Sequence, residues 1–102
     1  MKPTFFSGLD LGQMSDFTAF VVVQRSTQPR PDRSDEMEHR FDVRHLQRWP
    51  LGTSYPAIVA DLKTMYATDE LAGSTLVIDK TGVGAGVMDM VKQSKLNATL
   101  GR

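Results

Sequence analysis

The chain has no cysteine. Disulfide frameworks and thiolate metal sites are therefore excluded, and nothing marks a secreted scaffold. Net charge is also missing, because 12 basic and 12 acidic residues cancel. A basic clamp spread over the whole surface is excluded, although a locally basic groove is not. Long hydrophobic runs are absent: no apolar stretch approaches the roughly 20 residues that cross a bilayer. Gly8, Asp10 and Gly12 interrupt the N-terminal segment, so it has no signal-peptide core. A cytoplasmic setting without membrane contact is expected. No Gly-x-x-x-x-Gly-Lys-Ser/Thr sequence occurs, which removes the P-loop. Histidine is scarce, and His39 and His45, six apart on one predicted strand, make a poor pair of metal ligands.

What is present suits one small α/β domain spanning residues 1–102. A chain of 102 residues buries roughly two thirds of its unfolded surface, enough for one modest core. Residues 4–11 read as a strand built on Phe5, Phe6, Leu9 and Leu11, followed by a tight polar connection from Gly12 to Asp16. Residues 17–25 are β-branched and aromatic and give the clearest strand. Residues 26–38, with Pro29, Pro31 and mixed charge, read as a mobile loop. Residues 39–49 alternate, with Phe41, Val43, His45 and Trp49 on one face and Arg40, Asp42, Arg44 and Arg48 on the other. Pro50 and Gly52 end that strand. Thr53 or Ser54 caps a helix with Pro56 in its first turn and an apolar stripe of Tyr55, Ile58, Val59, Leu62, Met65 and Tyr66, closed by Gly73. Residues 74–79 are apolar on both faces, as in a central strand. A second helix from about Gly84 to Lys95 follows. The expected order is β-β-β-α-β-α.

Two segments share one form. Phe5-Phe6-Ser7-Gly8-Leu9-Asp10-Leu11-Gly12 and Leu76-Val77-Ile78-Asp79-Lys80-Thr81-Gly82-Val83-Gly84 are short apolar runs that end in an aspartate and pass into glycine-bearing loops. A carboxylate on a buried strand is costly unless its charge is stabilised. Gly8, Asp10 and Gly12 point to one side of a strand, leaving room for a ligand. Taken singly, Asp10 can also be a strand-terminating turn residue, Asp79 a helix cap, and Asp16 a turn or cap residue. In combination they say more. The first and fourth strands of a β-β-β-α-β unit can lie adjacent and parallel, which would bring Asp10 and Asp79 together. Paired carboxylates repel unless a cation lies between them. Oxygen donors without nearby His or Cys favour Mg²⁺ or Mn²⁺ over zinc. Two such ions about 4 Å apart can activate water and stabilise the leaving oxygen in phosphodiester hydrolysis. Lys80, Arg44 and Arg48 are candidate contacts to a nucleic-acid backbone, with a solvated face as the alternative.

Three blocks carry a family resemblance that covers nearly the whole chain. Gly8-Leu9-Asp10-Leu11-Gly12-Gln13-Met14-Ser15-Asp16-Phe17-Thr18-Ala19 with the valine run after it resembles the opening of the nuclease domain in large terminase subunits of tailed phages. Leu76 to Gly84 is similar to that family's second acidic motif. Arg44-His45-Leu46-Gln47-Arg48-Trp49-Pro50-Leu51-Gly52-Thr53-Ser54-Tyr55-Pro56 is similar to its strand-to-helix passage. The resemblance implies a ribonuclease H-like fold and a metal-dependent endonuclease that cuts concatemeric double-stranded DNA during packaging, in the host cytoplasm. Portal and other packaging subunits are the further partners it implies. Asp10 would match the first metal-binding aspartate, Asp79 the second acid, and Asp16 an assisting aspartate. The family's third acid lies on a later element, beyond Arg102, and its packaging ATPase lies on the N-terminal side. The chain is therefore expected to be a fragment, a truncated gene or a domain remnant, incomplete at its C-terminus, and its activity alone is left open.

Two other readings belong to different classes. Asp10-Leu11-Gly12 with Thr18 is similar to the opening strand of actin-like ATPases and sugar kinases, which implies nucleotide binding. A truncated, inactive domain that only docks to a partner is the non-enzymatic reading.

Overall fold

A computed structural model describes residues 3–12, 16–68, 70–79, 84–94, 96 and 98–101, the last four by their backbone alone. Seven elements follow one another: β1 (Thr4–Asp10), β2 (Ala19–Pro29), β3 (Met37–Arg48), α1 (Tyr55–Tyr66), β4 (Thr75–Asp79), α2 (Ala85–Gln93) and β5 (Ala98–Gly101). The strands form one mixed sheet in the order β3-β2-β1-β4-β5. The first three make an antiparallel meander, while β4 runs parallel to β1 and β5 parallel to β4. The expected mixed α/β class and β-β-β-α-β-α order are found, with β5 as an added edge strand.

Alternation along the strands decides where the core sits. Leu9, Phe20, Val22, Leu76 and Ile78 are buried in one cluster with Ile58, Val59 and Leu62 of α1 and Met88 and Val91 of α2. Both helices therefore cover the same face of the sheet. Ser54 caps α1 by accepting the Ala57 N–H at 3.3 Å, and Pro occupies its first turn. Ser7 brings a polar group onto the covered face. Buried Ser7 donates to the Thr75 carbonyl at 3.2 Å and meets the Tyr66 hydroxyl, tying β1 to both β4 and α1. No helix among the described residues is long and apolar enough to cross a membrane.

The structure departs from the sequence expectations in four places. Residues 26–38 are strand at both ends and a tight turn only over 30–36: β2 continues to Pro29, β3 begins at Met37, and the two pair down to Pro29↔Met37. Mixed charge there reflects a solvated ribbon, since β1 stops supporting it at Thr4↔Arg25. Its tip is tied by Arg30 N–H to the Glu36 carbonyl at 2.9 Å, beside Arg30–Asp32 and Arg33–Glu36 ion pairs. The predicted alternation of β3 fails at a bulge between Val22 and Val23, where the partner shifts from His45 to Val43. Arg44 is the extra residue, so the faces of β3 exchange there. Gly73, at φ +77°, ends the turn into β4 and not α1, which stops at Tyr66 with Ala67 as its cap. The fifth strand was not expected, because Ala98–Gly101 is too short to carry a pattern.

Candidate metal centre

The parallel pairing of β1 with β4 runs from Phe6↔Thr75 through Gly8↔Val77 to Asp10↔Asp79. The two aspartates are thus direct neighbours, each at the carboxyl end of its strand. In-register residues of adjacent strands share a face, and their backbones lie about 4.8 Å apart. That face is the one without helices. Asp10 is exposed and Asp79 half-buried. They border a depression of about 360 Å³ whose walls include Gly8, Val21, Leu46 and Val77.

The connection after β1 is held from several directions. Gly12 donates its N–H to Thr18 Oγ1 at 3.0 Å, and its carbonyl accepts from the Tyr55 hydroxyl at 2.6 Å. Trp49 donates its backbone N–H to the Thr18 carbonyl at 3.0 Å and its Nε1–H to Asp61 Oδ2 at 2.8 Å. Leu11, Thr18 and Trp49 are buried. The chain folds back so tightly that a Cβ at Gly12 would stand 2.3 Å from the Asp16 carbonyl oxygen. These bonds fix the end of β1, and with it the backbone that carries Asp10.

Asp16 is exposed on this turn. Among the described residues no three acids or histidines gather closely enough to hold a metal, so Asp16 does not join Asp10 and Asp79. Lys80 and the Thr81-Gly82-Val83 turn lie outside the described residues.

A solved structure matches this architecture: the crystal structure of the large terminase nuclease from thermophilic phage G20c with bound zinc. The match has a TM-score of 0.60 at 21% sequence identity and covers 96% of this chain and 47% of that one. The fold is that of a terminase nuclease. No family model matches the sequence, and no curated protein matches it. The chain spans about half the length of the terminase nuclease it matches.

Within this terminase-nuclease fold the two candidate basic residues separate. Arg48 pairs with Ala19, which pairs with Asp10, so the three share one row of the open face. Its guanidinium stacks 4.0 Å from the Phe17 ring centroid. Arg44, at the bulge, bonds Gln24 and lines a hollow with Phe5, Val22 and His45, which belong to the helix-covered side. The basic ridge expected from Arg40, Arg44 and Arg48 is thus divided between two faces by one inserted residue. Sequence reasoning missed the roles of Tyr55, Thr18 and Asp61 in holding the turn. The one signal was that Tyr55 places a hydroxyl at the start of an otherwise apolar stripe.

Proposed function

We propose that Asp10 and Asp79 hold Mg²⁺ or Mn²⁺, and that the chain serves as a metal-dependent nuclease unit acting on double-stranded DNA. The observation that carries this reading is the Asp10↔Asp79 register at the carboxyl ends of β1 and β4 in a terminase-nuclease fold. The donor chemistry fits a hard cation. Both ligands are carboxylates, with no cysteine in the chain, and Mg²⁺ keeps several waters while taking only one or two protein carboxylates. Bound there, the metal would polarise a phosphoryl oxygen and stabilise charge on the leaving oxygen. The chain's own residues position and recognise. Gly12, Thr18 and Tyr55 hold the strand end, and Arg48 offers a planar donor to a phosphate on the same row as Asp10. Cutting concatemeric DNA in the host cytoplasm, together with portal and packaging subunits, is the setting we assign. The kinship with a large terminase nuclease supports it.

The nucleotide-binding reading is weakened by Thr18. It is buried, and its Oγ1 accepts the Gly12 N–H, so the hydroxyl is engaged in the turn.

Calorimetric titration with Mn²⁺ tests the proposal on the wild type, Asp10→Asn and Asp79→Asn. Each variant is expected to lose affinity by at least about tenfold while keeping its circular dichroism. Binding that is the same in all three proteins would overturn it. Nicking of supercoiled plasmid, measured alongside, is expected to fall with the same substitutions.

A further inference from the structure

A ring holds Arg48, whereas polar groups hold most of the other described arginines. Arg30, Arg33 and Arg40 each pair with a neighbouring carboxylate, and Arg44 donates to the Gln24 amide oxygen. Arg48 makes no ion pair among the described residues, and its guanidinium lies over Phe17. Register explains the stack. Arg48 pairs with Ala19, and the Trp49 N–H to Thr18 carbonyl bond carries that pairing one step further. Thr18 is buried towards the helices, so Phe17 and Ala19 share the open face, with Phe17 diagonal to Arg48. Phe17 stays 41% exposed there.

We infer that Phe17 is a positioning residue, whose ring presents the Arg48 guanidinium to a DNA phosphate flanking the scissile one. This rests on the proposed nuclease role. A guanidinium carries five N–H donors, all in its plane. A carboxylate partner would occupy some of them and offset the charge. A ring beneath the plane orients the group and leaves its edge free, as bidentate binding of a phosphate requires.

Position supports the same role. Arg48, Ala19, Asp10 and Asp79 lie in one row across the sheet. At about 4.8 Å per strand, the backbone of Arg48 stands roughly 10 Å from that of Asp10. Ala19, between them, has a single-carbon side chain and leaves the row unobstructed. Phosphates of one DNA strand recur about every 3.4 Å along the helix axis, so Arg48 meets a neighbour of the phosphate held at the aspartates. A phosphodiester must reach Asp10 and Asp79 for the proposed reaction. This end of the face therefore stays open to DNA whatever packs on the rest of the sheet. Arg25 is also stacked, over Phe6 at 5.1 Å, but it sits on the row of Thr4, about 20 Å along β1 from Asp10.

Duplex binding in EDTA tests Phe17 apart from metal chemistry and from cutting. The anisotropy of a fluorescently labelled oligonucleotide duplex is followed for the wild type and its variants. Arg48→Ala is expected to raise the dissociation constant at least about tenfold. Phe17→Ala is expected to raise it about two- to fivefold, by similar factors on duplexes of unrelated sequence. Phe17→Tyr keeps the ring and should bind as the wild type does, whereas Phe17→Leu should match Phe17→Ala. In an Arg48→Ala background, Phe17→Ala should have no further effect. Circular dichroism and Mn²⁺ affinity should be the same in all these variants, which separates the effect from misfolding and from damage to the metal centre. The inference is overturned by a wild type that binds no duplex, by Phe17→Ala binding as tightly as the wild type, by equal binding of Phe17→Leu and Phe17→Tyr, or by a Phe17 effect that persists without Arg48. Any of these results beside intact, Asp10-dependent Mn²⁺ binding removes the role of Phe17 and spares the metal centre.

Discussion

Among the described glycines, Gly12 is the one whose added methyl would meet the closest contact. Its Cβ would strike the Asp16 carbonyl at 2.3 Å and the Phe17 backbone at 2.6 Å. Backbone cannot rotate out of the way as a side chain can. Gly12→Ala is expected to cost about 2–3 kcal/mol and to lower the melting temperature by on the order of 10 °C, read by calorimetry. Gly8 differs, since its Cβ would meet only Val21 Cγ1 at 3.6 Å. The sequence treats these two glycines alike, and only the fold separates the one that is required. Tyr66 offers a second residue-scale outcome. Burial pushes its hydroxyl above the usual 10.0, against the opposing pull of hydrogen bonds from Ser7 and Ser74. A raised value in the folded state means stability that is intact below pH 10 and lost as pH rises through the folded value. Melting curves from pH 8 to 11 should therefore show an alkaline loss in the wild type that is reduced in Tyr66→Phe. Equal alkaline loss in both proteins would contradict this assignment. Asp10 and Asp79 were legible in the sequence because each ends a short apolar run. The hydroxyls of Thr18 and Tyr55 were not, since their partners are backbone groups that only tertiary folding supplies.

At the scale of elements, periodicity located β1, β4, α2 and the start of α1 to within a few residues, and β2 by its core. It failed where support comes from one neighbour alone. From Ser26↔Arg40 outward, β2 and β3 pair only with each other, so solvent reaches both faces and polar residues satisfy both. Such a ribbon has no hydrophobic signature to read. Its amides are expected to exchange with solvent well before those of Phe20 and Val22, whose side chains reach the core. Hydrogen exchange followed by NMR checks this, and equal protection along the whole of β2 would show that the ribbon is anchored. The bulge at Val22/Val23 was equally invisible. An inserted residue changes no composition, yet it exchanges the faces of everything beyond it.

For the molecule as a whole, the decisive contact joins strands far apart in the sequence. A crossover through α1 returns the chain beside β1, and the parallel pairing that results is what aligns the two aspartates. That topology was open to inference because a helix lay between two apolar runs. The bareness of one sheet face was not, because exposed Phe6, Val43 and Val77 look in sequence like any other core residues of a strand.

The parallel seam also has a consequence for biosynthesis. Asp10 leaves the ribosome with the first strand, whereas its neighbour emerges only after the meander and the first helix have been made. Nothing local to β1 can assemble the pair early. The two carboxylates therefore come together only once the crossover has closed.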